Sequence, residues 1–152
     1  MHDSEKTKIT SLPLYYYVYA SSATTPFSKE MLLELLTKSR RNNSALGVTG
    51  MLLYKGGNFL QVLEGEEAAV GKILAKIRAD TRHRGVIRLL HGKAETRIFQ
   101  DWSMAFRDLE SEEVKSIPGF SEFMNVSLDP DQISANPVRA KRLLEIFRDS
   151  IR

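Results

Sequence analysis

A glutamine in the middle of an apolar strand is the residue of this sequence that most needs a chemical explanation. Gln61 lies between Leu60 and Val62, in a segment whose side chains are expected to alternate between two faces. An amide buried there needs partners for two donors and one acceptor. A bond to a neighbouring loop would satisfy it, so Gln61 alone leaves a structural and a functional interpretation open.

Four other residues carry chemical groups of interest, and each has an ordinary structural alternative. Tyr19 lies in a strand-like run, where most tyrosines belong to the core and their hydroxyl reaches a partner. Asn43 lies among residues typical of a turn. Trp102 and Met104, taken singly, are expected to be core residues.

Several kinds of site are excluded by what the sequence lacks. The chain has no cysteine, which excludes disulfides, thiolate metal sites, a cysteine nucleophile and any cofactor held through sulfur. Its three histidines have no metal-ligand spacing, so we expect no metal site. No phosphate-binding loop and no Gly-x-Ser-x-Gly motif is present. Nothing in these patterns indicates catalytic turnover, so we expect a protein that is not an enzyme.

Length and composition indicate one soluble domain with a short extension. The chain has 152 residues, of which 42% are hydrophobic and 27% charged. No stretch approaches the ~20 apolar residues of a membrane helix, and the polar start lacks the apolar core of a signal peptide. We therefore expect a cytoplasmic protein with no membrane partner. A net charge of +3 is a weak signal for nucleic-acid binding.

The order of the predicted elements is β-α-β-β-α-β. Apolar periodicity and turn residues predict strands at 14–20, 48–54, 58–64, 86–90 and 102–106, and helices from Ser28 to Arg41 and from Glu66 to Asp80. This order is that of a ferredoxin-like α+β domain, here with an extra fifth strand. Asn42-Asn43-Ser44 is expected to form the turn after the first helix.

Both faces of the first strand are apolar, so the second face of the sheet also needs a cover. A final amphipathic helix, starting at Asn136-Pro137, is the best candidate for that far face. The side chains expected to bury against Tyr16 and Val18 are Val138, Leu143, Leu144, Phe147 and Ile151.

Three longer stretches closely resemble the BLUF family, blue-light sensors that bind flavin without a covalent bond. They are Val18-Tyr19-Ala20-Ser21-Ser22, the run from Arg41-Asn42-Asn43 to Thr49-Gly50-Met51-Leu52, and Asn58-Phe59-Leu60-Gln61-Val62-Leu63-Glu64-Gly65. Shorter matches at 77–83 and 99–104 follow in the family's order and spacing. The resemblance divides the chain into a polar tail (1–11), a BLUF flavin-binding domain (12–109) and a C-terminal helical extension (110–152).

The resemblance also implies a role for each site residue. Tyr19 is the implied electron and proton donor to the excited flavin, and Gln61 lies between this tyrosine and the flavin. The other residues implied to bind the cofactor are Leu35 and Ile77 on the two sides of the ring, Asn42 and Asn43 at its polar edge, and Lys76, Asp80, Arg82 and His83 toward the ribityl and phosphate groups. The expected cofactor is FAD, with FMN or riboflavin as alternatives.

Trp102 and Met104 match the family's switch strand. They are two residues apart, so a two-residue slide would exchange them on one face of the strand. The expected partners are the flavin, further copies of the chain in a dimer or larger homo-oligomer, and a downstream protein.

Two other classes of protein share the predicted fold. A ferredoxin-like RNA-binding module could stack bases on exposed aromatics such as Tyr15 or Tyr17, but its glycine- and aromatic-rich signature is missing. A small flavin- or ligand-binding enzyme would need a placed base or nucleophile, and the sequence offers none. Colour separates a flavin receptor, which purifies yellow, from an RNA-binding module.

The first testable prediction concerns how the cofactor is held. We expect the purified protein to carry flavin in a 1:1 ratio and to release all of it on treatment with acid or heat, because no cysteine is present to form an adduct. Absorption of the supernatant after precipitation measures the release. Flavin that stays with the precipitated chain would contradict the prediction.

Overall fold

The computed structural model describes residues 13–99 and 104–108, together with residues 130, 138, 141, 142, 144 and 145. Its elements are β1 (Leu14–Ala23), α1 (Lys29–Ala45), β2 (Thr49–Lys55), β3 (Asn58–Gly65), α2 (Glu67–Ala79), β4 (His83–Ala94) and β5 (Ala105–Asp108). The predicted tail and most of the predicted C-terminal extension lie outside the described residues. None of the described helices is both long enough and apolar enough to cross a membrane.

The strands form one sheet in the order β4-β1-β3-β2-β5. β1 lies antiparallel between β3 and β4, and β2 pairs antiparallel with β3 through the Gly56-Gly57 turn. β5 is parallel to β2 at the edge of the sheet. The two helices connect β1 to β2 and β3 to β4, so the predicted ferredoxin-like α+β fold is confirmed.

One hydrophobic core lies between the sheet and the two helices. Tyr17 and Tyr19 of β1 contribute to it, and the alternate residue Val18 is buried on the opposite face. The helices contribute their apolar stripes, which are Leu32 and Leu36 of α1 and Val70, Ile73 and Leu74 of α2. Because Tyr17 is 6% exposed, the expectation that it could stack bases is wrong.

Helix α1 begins as predicted but ends later than predicted. The Ser28 hydroxyl accepts a hydrogen bond from the Met31 N–H at 3.1 Å and caps the first turn. The helix continues to Ala45, so the prediction of a turn at Asn42-Asn43-Ser44 is wrong. Burial of Asn43 outweighs the turn preference of asparagine, and the chain reverses at Gly47, whose φ of 68° suits glycine.

The far face of the sheet is covered at the point where the described C-terminal residues lie. Leu144 is 1% exposed and borders a small cavity together with Val18 and Val62, and the Lys141 ammonium lies 5.0 Å from the centre of the Tyr16 ring. Val138 is 70% exposed, so its predicted burial is wrong. Asn136, Pro137, Leu143, Phe147 and Ile151 lie outside the described residues.

Two strand boundaries also differ from the predictions. β4 runs from His83 to Ala94, much longer than the predicted 86–90, and the turn before it shortens to Thr81-Arg82. β5 starts at Ala105, one residue after Met104. Trp102 lies outside the described residues, so its predicted place in this strand stays a prediction.

Two glycines provide a matched test of the packing. A Cβ built on Gly50 would clash with the Val62 carbonyl oxygen, whereas one on Gly71, an exposed position of α2, would meet open space. We expect Gly50→Ala to lower the free energy of unfolding by about 2–3 kcal/mol, because β2 and β3 must separate. Gly71→Ala should raise it by about 0.5–1 kcal/mol through helix propensity. Urea unfolding measures both, and shifts of the same sign would contradict this packing.

Candidate functional site

A cleft opens between the two helices above the middle of the sheet. Its inner part is lined by Tyr19, Phe27, Leu35, Ser39, Leu52, Phe59, Gln61, Ile77, Asp80, Arg82 and His83. Its outer part shares Leu35, Ser39, Gln61, Ile77 and Asp80 with the inner one and adds Lys38, Asn42, Asn43, Ile73, Lys76 and Ala79. The outer part has a cavity volume of about 430 Å³. Its size and its mixed lining are typical of a small-molecule site.

Three buried side chains form a hydrogen-bonded run at the floor of the cleft. Tyr19 and Gln61 are directly opposite each other on β1 and β3, and the Tyr19 hydroxyl donates to Gln61 Oε1. Gln61 Nε2 donates to the Met104 sulfur at 3.4 Å. The three residues are 3%, 4% and 2% exposed, respectively. The amide therefore has a strong donor at its oxygen end and a weak acceptor at its nitrogen end.

The Tyr19 hydroxyl stays protonated in this environment. Burial raises its pKa far above the usual value, and the negative charge of Asp80 and the neighbouring Tyr17 add to the rise. A neutral phenol is a hydrogen-bond donor, which agrees with its bond to Gln61.

The walls of the cleft are apolar and come from the two helices. Leu35 of α1 and Ile77 of α2 are partly buried and pack against the main core while lining both parts of the cleft. Phe27 and Phe59 extend the apolar lining, with ring centres 5.1 Å apart in an edge-to-face arrangement. Each of the two helices therefore contributes one apolar side chain, Leu35 or Ile77, to the cleft.

The end of the cleft at the α2–β4 turn is polar and charged. The Arg82 guanidinium donates to both Asp80 carboxylate oxygens, with the closest N–O distance 2.7 Å. These bonds lower the Asp80 pKa to about 2, so the carboxylate is ionised at neutral pH. One ring nitrogen of His83 is hydrogen-bonded to the Ser21 hydroxyl at 3.0 Å and the other to the Ile77 carbonyl. These bonds fix His83 between β1 and the end of α2.

The end of the cleft at the last turns of α1 carries amides. Asn43 is 1% exposed, and its backbone carbonyl accepts from the Leu46 and Val48 N–H groups at 3.1 and 2.8 Å. Asn42 is partly exposed beside it, and Lys76 of α2 is exposed at the rim.

The structure brings together all the predicted cofactor-binding residues and the Tyr19–Gln61 pair. Met104 lies behind Gln61, while Trp102 is outside the described residues. Sequence reasoning missed seven residues of the lining, which are Phe27, Ser39, Leu52 and Phe59 in the inner part and Lys38, Ile73 and Ala79 in the outer part. Periodicity could have found three of them, because Ser39 is one helical turn after Leu35, Ile73 is one turn before Ile77, and Phe59 shares a strand face with Gln61.

The chain is similar to known proteins in both sequence and structure. The family model described as "BLUF: Sensors of blue-light using FAD" matches residues 14–105. The photoactivated adenylate cyclase subunit beta of Euglena longa is 36% identical over 87 residues, which is 57% of this chain and 10% of that protein. The blue light- and temperature-regulated antirepressor BluF of Escherichia coli strain K12 is 38% identical over 80 residues, which is 53% of this chain and 20% of that protein.

Solved structures show the same fold. The dark-state structure of BlrB, a BLUF protein, superposes with a TM-score of 0.70 at 24% identity, covering 90% of this chain and 98% of that one. The match to the family model extends over more than half of the chain and includes both helices and the run Tyr19–Gln61–Met104. The chain belongs to the BLUF family of flavin-binding blue-light sensors.

Proposed function

We propose that this chain is a blue-light receptor that holds FAD non-covalently in the cleft and signals through a change in the hydrogen bonds of Gln61. The observation that carries the proposal is the buried amide of Gln61, which bridges the Tyr19 hydroxyl and the Met104 sulfur at the floor of the cleft. FMN and riboflavin are alternatives to FAD, because the three share the same ring.

The lining of the cleft fits a flavin. The apolar side chains of Leu35 and Ile77 would pack on the two faces of the ring. The amides of Asn42, Asn43 and Gln61 supply donors and acceptors for its polar edge. Toward the other end, Arg82, His83 and Lys76 would hold the ribityl and phosphate groups, with Asp80 fixing the Arg82 guanidinium.

The photochemistry depends on the protonation of Tyr19. A bound flavin supplies a strong one-electron oxidant when it absorbs blue light. When Tyr19 loses an electron, its phenol becomes strongly acidic, and its proton moves along the existing hydrogen bond to Gln61 Oε1. Before illumination the phenol is neutral because burial raises its pKa, so this proton is present in the dark. The electron and the proton both return to Tyr19 at the end of the cycle.

The return of the proton allows Gln61 to re-form in a different arrangement. A rotated amide presents its oxygen to the Met104 sulfur, which has no proton to donate, so the 3.4 Å contact from Nε2 is lost. A tautomerised amide changes the number of donors at the same two ends. In either form a new donor toward the flavin carbonyl stabilises the excited state more than the ground state, which produces a small red shift.

Met104 links Gln61 to the edge of the sheet. Its carbonyl accepts a hydrogen bond from Arg40 Nε at 3.0 Å, and the next residue, Ala105, pairs with Met51 of β2. A weakened bond between Gln61 and Met104 therefore acts on β5. We propose that Trp102 exchanges with Met104 in this movement through a two-residue slide.

The output passes to another protein. We propose a flavin-binding domain at 12–109, preceded by a polar tail at 1–11, and a C-terminal helical extension at 110–152 that transmits the change. The chain spans 10% of the length of the cyclase subunit of Euglena longa. We propose a cytoplasmic, non-catalytic receptor that forms a dimer or larger homo-oligomer and acts on a separate effector protein.

The central prediction separates flavin binding from signalling. Tyr19→Phe removes one hydroxyl and keeps the ring, so the protein should still bind flavin. Its red-shifted state should vanish, and the lifetime of its flavin fluorescence should increase because the quenching electron donor is lost. Gln61→Leu should abolish the red shift as well, because no amide remains to accept the proton or present a new bond. Light-minus-dark absorption and transient absorption measure these effects.

Trp102→Phe is the matched control, since tryptophan is the rival electron donor. We expect it to keep the red shift, because oxidation of Trp102 offers no route that rearranges Gln61. A normal red-shifted state in Tyr19→Phe, or its complete absence in a flavin-loaded Trp102→Phe, would assign the photochemistry to the other aromatic side chain.

A further inference from the structure

Glu64 is a buried acid on the face of the sheet opposite the cleft. It is 2% exposed and follows Gln61 by three positions on β3, so the two side chains point to opposite faces. Burying a carboxylate is costly unless it is paired or hydrogen-bonded. The photochemistry proposed above makes no use of Glu64, so its burial needs an explanation of its own.

The Glu64 carboxylate accepts hydrogen bonds from two successive backbone N–H groups and, at 3.5 Å, from the Thr49 hydroxyl. One oxygen accepts from Ile98 N–H at 2.7 Å and the other from Phe99 N–H at 2.9 Å. The Arg97 guanidinium donates to the Glu64 carbonyl at 3.1 Å and to the Thr49 hydroxyl at 2.9 Å. Burial raises the pKa of the carboxyl, and the two N–H bonds and Arg97 oppose that rise. One side chain thus fastens the segment Arg97–Phe99 to the end of β3.

The segment held by Glu64 lies on the far face of the sheet and precedes Met104 in the chain. Phe99, which is 2% exposed, precedes Met104 by only five positions, and Met104 accepts the bond from Gln61. On the far face Ile98 and Phe99 border the small cavity that Leu144 also lines. The residues before and after Met104 are therefore both held in place. Ile98 and Phe99 are bonded to Glu64, and β5 is paired with β2.

We propose that Glu64 is a positioning residue, whose carboxylate fixes the segment Arg97–Phe99 and so restores Met104 to its dark position after Gln61 has rearranged. This inference rests on the function proposed above for Gln61 and Met104. A fixed segment limits how far Met104 can follow the change at Gln61. Releasing the segment lets the displaced arrangement persist, so the lit state decays more slowly.

Glu64→Gln is the variant that tests this role. The oxygen of the glutamine side chain can accept a hydrogen bond from one of the two backbone N–H groups. Its NH2 group then faces the second backbone N–H and cannot accept from it, so one of the two bonds is lost. We expect amide hydrogen exchange at Ile98 or Phe99 in the dark to become faster by about tenfold or more, as for loss of a hydrogen bond to a charged group. The lit state should decay at least about threefold more slowly, and flavin binding and the size of the red shift should stay unchanged.

Glu66→Gln is the matched control. It makes the same change of charge two positions away, but Glu66 is exposed and its side chain makes no capping hydrogen bond. Amide exchange at Ile98 and Phe99 and the decay of the lit state should both match the wild type. An effect of Glu66→Gln equal to that of Glu64→Gln would mean that charge alone is responsible, and would overturn the proposal.

A measurement on the wild-type protein covers the case in which Glu64→Gln does not fold. Nuclear magnetic resonance should find the Ile98 and Phe99 amides equally protected from exchange in the dark and under blue light, because their hydrogen bonds to Glu64 persist in both states. Loss of their protection in the light overturns the proposal. So does an unchanged or faster decay in a folded Glu64→Gln protein whose amide protection is lost. Absence of any red shift in the wild type would instead overturn the proposed function. Amide hydrogen exchange in the dark reports only on the hydrogen bonds of Ile98 and Phe99 to Glu64.

Discussion

The structure depends on one buried amide that has different partners at its two ends. Gln61 accepts from a phenol whose pKa burial has raised, and donates to a thioether sulfur. The first bond is strong and the second weak, so breaking the bond to the sulfur costs less free energy than breaking the bond from the phenol. An amide is suited to this position because its two ends have opposite hydrogen-bonding functions and similar shape.

The fold places this amide where both faces of the sheet can respond to it. Core residues of α1 and α2 cover the face that carries Gln61, and they enclose the cleft with apolar walls. The opposite face carries Glu64, whose carboxylate holds the chain that leads to Met104. In the proposed function, strand β3 contributes both Gln61, which rearranges, and Glu64, which holds the segment Arg97–Phe99. The alternation of side chains along one strand keeps these two tasks on opposite faces.

Local patterns in the sequence predicted much of this arrangement. The Ser28 cap, the Gly56-Gly57 turn and the apolar stripes identified the helices and the hairpin, because each depends on neighbouring residues only. The end of α1 was predicted too early, because the turn preference of asparagine is weaker than the burial of Asn43 in the fold. The length of β4 was missed because Arg84 and Gly85 before the predicted strand, and His91, Gly92 and Lys93 after it, interrupt the apolar pattern. The role of Glu64 could not be predicted, since its N–H partners lie 34 and 35 residues further along the chain.

Isotope-edited infrared spectroscopy observes the Gln61 amide itself, so it tests whether this amide rearranges on illumination. The protein is labelled with glutamine carrying ¹³C at the side-chain carbonyl, with Gln100 and Gln132 replaced so that Gln61 alone reports. If Gln61 rearranges as proposed, we expect its labelled carbonyl band to shift on blue-light illumination and to return with the same time course as the absorption red shift. A red shift that forms and decays while the labelled band stays unchanged would contradict the proposed rearrangement.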